Sequence, residues 1–401
     1  MNLEVPKKFS MLVEQAHQVA ANVFRPISRK YDKAEHAYPK ELDMLASLLD
    51  GMNEGSDMAS GAVSATGKPS DVVSTDIKNG SNLSTAMGAM ELCWGDAGFM
   101  LALPRQGLGN AAIGAVANDE QLARFHGVWA AMAITEPGTG SDSAAIRTTA
   151  VKDGDHYILN GEKIFVTSGD RADAVVVWAT LDRNVGRAAI KSFVVERGTP
   201  GMEIARLEHK LGIKSSDTAA INFVDCRVPA ANLLGSPEVD VQKGFAGVMQ
   251  TFDNTRPLVA AMAIGVAKAS LDLTRSLLKD YLSDDYAYLP GNASYIEATL
   301  NRLEAEWEAA RLLTMKAAWM ADNKMPNSKE ASIAKAKAAR VGNEITLKCI
   351  ELCGSVGYSE VDLLEKWGRD SKILDIFEGT QQIQQLIIAR RVLGKSSSEL
   401  K

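Results

Sequence analysis

Apolar residues recur at helical spacing early in the chain. Phe9, Leu12, Val13 and Ala16 share one stripe, and Leu42, Leu45, Leu48 and Leu49 share another, so helices are expected through residues 1–128. Residues 51–82 break the pattern. They are rich in Gly, Ser, Asp and Asn with few large apolar groups, and read as a long loop. From 129 to 238 the period shortens. Ala174–Ala179, Ile190–Val195 and Ala220–Val224 are strand-like runs divided by Gly, Asp and Asn turns. Asn160-Gly161 is a hairpin signal, as is the charged stretch Lys152–His156. Helical spacing returns in 240–275, 292–322, 327–352 and 383–394, four long helices that suggest a bundle. The expected organisation is α+β, with a helical domain at 1–128, a β-domain at 129–238 and a helical bundle at 239–401. No internal repeat is visible.

Composition narrows the classes. The chain has 401 residues, 46% of them hydrophobic, and a net charge of −6 with mixed signs, enough for two or three cores. It has no basic stripe for nucleic acid. No apolar run approaches the ~18 residues of a membrane span, and the start lacks a signal-peptide pattern, so a cytoplasmic location is expected. The histidines (His17, His36, His126, His156, His209) are scattered, and their spacing supports neither a metal site nor a Ser/His/Asp triad. Cys349 and Cys353, four apart, read as a reduced packed pair.

Candidate chemistry concentrates near the C-terminus. Glu378 follows Ile373, Leu374, Ile376 and Phe377 and precedes Ile383, Leu386, Ile387 and Ile388. A carboxylate in such surroundings is poorly solvated, so its pKa rises and it becomes a stronger base. Gly379 lets a ligand approach the backbone. The other reading of Glu378 is a salt-bridged residue at a helix start. Upstream, Met132–Asp142 is an apolar strand that breaks into a Pro/Gly turn with exposed N–H groups and hydroxyls, suited to an anion or a polar ring edge. No Gly-x-Gly-x-x-Gly marks a nicotinamide fold.

Met132–Asp142, Tyr157–Gly169, Leu211–Thr218, Phe252–Pro257 and the Glu378-Gly379-Thr380 segment, in this order, resemble the acyl-CoA dehydrogenases over roughly residues 85–395. The resemblance implies an N-terminal helical domain, a central β-barrel-like domain and a C-terminal four-helix bundle. It implies FAD as cofactor, with Met132, Ile134, Thr135 and Ser141 lining the flavin, Phe165, Val166 and Thr167 as a second wall, and Thr380 and Gln382 on the flavin side. Phe165 stands where the family usually has Trp. Ser141, Asp253, Arg256 and Gly379 would meet the acyl-CoA, and Glu378 would remove its α-proton. The family's other location for the base is Thr255 here, which leaves Glu378. The activity implied is α,β-dehydrogenation of an acyl-CoA to the trans-2-enoyl-CoA, with electrons passed to an electron-transfer flavoprotein. An acyl-CoA oxidase and a structural subunit for a homologous catalytic chain are the alternatives. The 51–82 segment is longer than the family's usual turn near the acyl site, and a lid is the expectation there.

One half-site departs from the family. In homotetrameric members the ADP part of FAD is held by a neighbour's Arg-x-x-Phe-Gly motif, a His/Asn-Gln pair and a Gln-x-x-Gly-Gly turn. Here Tyr281 replaces Arg, Asp284-Asp285 replace Phe-Gly, Gly291-Asn292 replace the pair, and Glu351-Leu352-Cys353-Gly354-Ser355 replaces the turn. Two carboxylates beside a diphosphate would repel it. The expectation is an α2β2 assembly in which a homologous acyl-CoA dehydrogenase chain supplies the clamp, the alternative being a homo-oligomer.

Overall fold

In the computed structural model, residues 5–46, 80–104, 108–239, 246–282, 293–397 and 399–400 are described, without the side chains of 246–254. Nearly all of the 51–82 segment, the side chain of Asp253, and Asp284, Asp285, Gly291 and Asn292 fall outside that set.

The helical start consists of α1 (Ser10–Val19), a π-helical turn (Ala20–Phe24) and α2 (Arg25–Lys33). After it come α3 (Ser81–Gly95), α4 (Ala97–Ala102), α5 (Leu108–Val116) and α6 (Asp119–Arg124). The strands are β1 (Ala130–Ala133), β2 (Thr149–Asp153), β3 (His156–Thr167), β4 (Ala174–Thr180), β5 (Ile190–Glu196), β6 (Met202–Leu207) and β7 (Thr218–Pro229). Their order is β1-β4-β2-β3-β7-β6, with β5 on β4. β1 and β2 run parallel to β4, and the other pairings are antiparallel. The last part holds α7 (Ala246–Leu277), α8 (Tyr295–Asp322), α9 (Ser328–Tyr358), α10 (Leu364–Leu374) and α11 (Gln381–Leu393).

The Asn160-Gly161 hairpin is a correction. The turn between β2 and β3 lies at Gly154-Asp155, where Asp153 pairs with His156. Asn160 and Gly161 sit inside β3 at a bulge. A Cβ on Gly161 would stand 2.4 Å from Thr148 Oγ1, so glycine is needed for close packing and not for chain reversal. The short helix α10, absent from the periodicity reading, leads into the Glu378 segment.

The helical core gathers around α7. Ala260, Ala261, Met262, Ala263, Ile264, Val266 and Ala267 are all buried. Over Thr255–Leu277 this helix is long and apolar enough to cross a membrane, yet 78% of that window is buried inside the protein, which is the pattern of a core helix. Small residues let neighbours close in: a Cβ on Gly265 would lie 2.2 Å from the Met90 carbonyl of α3. The buried Asp322, at the end of α8, accepts from the N–H groups of Asn82 (2.8 Å) and Leu83 (3.1 Å). It thereby satisfies orphan donors at the start of α3.

A buried ionic knot joins distant segments. Lys366 of α10 donates to Asp96 (2.8 Å) and Asp370 (2.5 Å). Asp96 caps α4 through Phe99 N–H and also accepts from Ser28 of α2. Asp370 accepts from the N–H of Ile213 (2.5 Å), in the loop between β6 and β7. Burial alone would lower the Lys366 pKa, but Asp370 and Asp96 raise it, so the ammonium stays charged.

Candidate active site

Glu378 occupies the turn between α10 and α11 in a left-handed conformation (φ 54°), followed by Gly379 (φ 88°). For a non-glycine residue that backbone costs about 1–2 kcal/mol, so the surroundings must hold it. Three elements do so. Gln384 of α11, fully buried, donates from Nε2 to the carbonyls of Glu378 and Gly379, each at 3.0 Å. Lys335 of α9, also fully buried, donates to the Gly379 carbonyl at 2.7 Å. Thr255 of α7 donates its hydroxyl to Glu378 Oε2 at 2.7 Å. A Cβ on Gly379 would meet Gln384 Nε2 at 2.6 Å, so the clamp needs glycine there.

The electrostatics follow from this packing. Glu378 keeps some exposed area as a residue, while its carboxyl lies deep among its neighbours. Burial raises its pKa, against the Thr255 hydroxyl and the charges of Arg256 and Lys335, which lower it. Lys335 is drawn down to about 8 by burial, although Asp375 and Glu378 oppose that. No ion pair to Glu378 is present among the described residues. A half-protected base with a raised pKa is suited to abstracting a proton from carbon.

The second group of residues lies on the sheet. β1 runs into the 134–142 loop, and Ile164 N–H donates to the Thr135 carbonyl at 2.9 Å. A buried pair locks this edge. Lys163 donates to Glu136 (2.8 Å) and to the Ile134 carbonyl (3.0 Å). Glu136 also accepts from Arg147 N–H, Thr148 N–H and the Thr148 hydroxyl. Burial would raise the Glu136 pKa, but Lys163 and these donors bring it below the usual range. Burial draws Lys163 down to about 8. Those two directions favour opposite charge states for the pair. Four donors around one carboxylate decide for the ionised form, and a lysine near 8 is still mostly protonated at pH 7.

The expected flavin residues divide by burial. Phe165 stands 60% exposed with φ 57°, within the register shift of β3 between Lys163 and Val166. A large aromatic held outward is an open face on which a planar ring can stack. Val166 and Ile134 are buried in the apolar cores on either side of the sheet, and Met132 packs against the second of these. The side chains of Val166 and Ile134 support the wall, while that of Met132 is half-buried. Thr135 and Thr167 are half-buried, and Ser141 and Gln382 are exposed. Thr380 caps α11, its hydroxyl oxygen accepting from Ile383 N–H. Thr139 Oγ1 is buried with no hydrogen-bond partner, in the loop whose polar groups would meet a ring edge. The open aromatic face and the orphaned hydroxyl fit a flavin. Arg256 is 2% exposed, and its charge acts on Glu378 and Lys335, which places it at the base.

Lys335, Gln384, Glu136 and Lys163 escaped the sequence reading. A signal existed for Lys335: it shares the stripe of Ala331, Ala334 and Ala338, and a lysine on an apolar stripe needs a partner. Glu136 looked like a loop residue, and its four donors come from segments that only folding brings together.

Sequence comparison agrees with this arrangement. Residues 131–226 match the middle domain of acyl-CoA dehydrogenases, and residues 242–393 match the C-terminal domain. The human mitochondrial short-chain specific acyl-CoA dehydrogenase is 31% identical over 401 residues, covering 98% of this chain and 92% of that protein. The rat mitochondrial short-chain enzyme is 40% identical over 263 residues, or 65% of this chain. The chain spans 62% of the length of that relative. The butyryl-CoA dehydrogenase of Megasphaera elsdenii superposes with a TM-score of 0.83 at 29% identity, covering 98% of this chain and 100% of that one. The chain belongs to the acyl-CoA dehydrogenase family, whose cofactor is FAD.

Proposed function

We propose that the chain removes the α-proton of an acyl-CoA thioester through Glu378, in an FAD-dependent dehydrogenation that gives the trans-2-enoyl-CoA. The observation that carries this reading is the buried Glu378 carboxyl on its clamped left-handed turn, with a raised pKa. Bound FAD would supply the hydride acceptor, which no side chain can be. Met132, Ile134, Thr135 and Ser141 would border it on one strand, and Phe165, Val166 and Thr167 on the other, with Thr380 and Gln382 at the turn. Thr255 orients the carboxyl. Lys335 and Gln384 hold the Glu378 and Gly379 carbonyls and so fix the turn from which the Glu378 N–H would polarise the thioester oxygen and make the α-proton more acidic. Asp253, Arg256, Ser141 and Gly379 are the candidates for holding the thioester and its CoA portion. A small cleft of about 20 Å³ lies between α3, α7 and the end of α8, lined among others by Asn82, Thr85, Pro257, Leu258 and Ala321. The names of the relatives support a short acyl group. Electrons would leave to an electron-transfer flavoprotein.

The division of FAD binding between two chains is part of the proposal. Tyr281 is 68% exposed where the family's clamp has Arg. Gly354 keeps a non-helical break inside α9 (φ 55°, ψ −131°), but the Gln and second Gly of the turn are absent. Glu351 is less repulsive than its charge suggests, because Lys348 pairs with it at 2.6 Å. A homologous acyl-CoA dehydrogenase chain would bring the diphosphate clamp, in an α2β2 assembly. The test is optical. The FAD-loaded protein should bleach its flavin band on adding a short acyl-CoA, and the Glu378→Gln variant should bind FAD yet fail to bleach. Bleaching at the native rate in the variant would overturn the assignment of the base.

A further inference from the structure

Folding assembles a cluster that the scattered histidines gave no hint of. Glu35 and His36 follow α2, and His209 comes from the loop after β6, 174 positions from Glu35. One ligand atom from each lies within 4.8 Å of the other two. His209 Nδ1 is 3.0 Å from Glu35 Oε2, and the rings of His36 and His209 meet edge-on with centroids 4.8 Å apart. His36 holds a left-handed backbone (φ 71°), and both of its ring nitrogens are buried without a hydrogen-bond partner. An imidazole with neither nitrogen satisfied is costly, and this one meets the His209 ring.

We infer that Glu35, His36 and His209 form a binding site for a divalent first-row transition ion, Zn²⁺ foremost. Two imidazoles and one carboxylate suit zinc, with bonds of about 2.0–2.2 Å and a fourth position left to water. Ligand atoms on one tetrahedral zinc stand about 3.3 Å apart. The Glu35–His209 separation already matches, and the remaining closure is a side-chain rotation. His209 can make that rotation because its side chain is 82% exposed. The carboxylate is pre-oriented: Glu35 Oε1 accepts from Lys210 N–H at 2.8 Å. The competing cation is Lys214, whose ammonium lies 3.7 Å from Glu35 Oε2 and must swing into solvent. A second cation, Lys210, donates to the Ser216 carbonyl while its charge still acts on Glu35 and His36. The ion would tie the end of α2 to the loop that carries Ile213, the partner of Asp370 on α10.

The test is a titration of the full chain, stripped with a chelator and desalted, with Zn²⁺ alone against a chromophoric chelator. One ion per chain is expected. Co²⁺ in its place should give visible d–d bands of a nitrogen- and oxygen-ligated site. His209→Ala and His36→Asn should each weaken Zn²⁺ binding by at least about tenfold, the loss that even groups behind metal ligands cause. His209 is exposed, so its variant should melt like the metal-free parent, and asparagine tolerates the left-handed backbone of position 36. Binding that survives intact in His209→Ala, or a parent chain that takes up no Zn²⁺, overturns the site.

Discussion

Burial that raises the pKa of Glu378 lowers the stability of the folded chain at neutral pH. Between the ordinary carboxylate range and the raised value, the folded state holds a proton that the unfolded state has released. Stability therefore falls as pH rises through that window. Glu378→Gln has no such slope. Its melting temperature should exceed the parent's near pH 7, with the gain fading as pH drops below the carboxylate range. Thermal scans across pH check this, and a gain that grows toward acid would contradict it. The same substitution should cost ~10²–10⁴-fold in turnover, measured under single-turnover conditions. Lys335 is a positioning residue for this base. Lys335→Met removes a positive charge from beside Glu378 and a donor from the Gly379 carbonyl. The acid limb of the kcat/KM profile should move to higher pH, and the plateau should drop by about 10–100-fold. Lys335→Arg should restore part of the limb. An unmoved limb would make Lys335 merely structural.

At the scale of elements, the sheet wall depends on the Glu136–Lys163 pair. Breaking a buried pair from one side costs ~3–5 kcal/mol. Glu136→Gln keeps the shape but leaves Lys163 facing a neutral group, so flavin content should fall and the purified protein should melt earlier. Unchanged flavin affinity and melting would mean that the wall does not need the pair. Most of the elements were legible in the sequence because their periods are long and clean: α7, α8, α9 and α11, and strands β4, β5 and β7. What was not legible has specific causes. Asn160-Gly161 carries the chemistry of a turn, yet Thr148 packs against it and makes it a bulge. α10 is short, and its buried face includes Lys366 and Asp370, so its apolar stripe is interrupted. Glu378 was legible from its apolar flanks. Its clamp was not, because Lys335, Gln384 and Thr255 come from three helices whose docking no local pattern encodes.

At the scale of the whole molecule, the proposed flavin wall and the sequence changes at the family's ADP motifs set a prediction of assembly. Expressed alone, the chain should carry little FAD. Co-expressed with a homologous chain that bears the Arg-x-x-Phe-Gly and Gln-x-x-Gly-Gly elements, it should gain flavin and activity. Native mass and flavin content decide this. A homotetramer with one tightly bound FAD per chain, turning over unaided, would refute the division. Each 1.4 kcal/mol lost at a diphosphate contact is a tenfold loss in affinity, so the difference should be plain at micromolar cofactor.

The knot of Asp96, Lys366 and Asp370 bears on how this chain can be recombined. Its members come from the junction of α3 and α4, from α10 and, through Ile213, from the sheet region. A chimaera that imports the strands of a relative but keeps this α10 inherits a loop whose N–H must still find Asp370. If it does not, a carboxylate is left buried beside its twin. Crossover points placed between β6 and β7, or between α9 and α10, therefore divide a single buried ionic unit. Functional hybrids should come from exchanges that move Asp96, the 208–217 loop and α10 together, and seldom from exchanges that follow the visible boundary between sheet and helices.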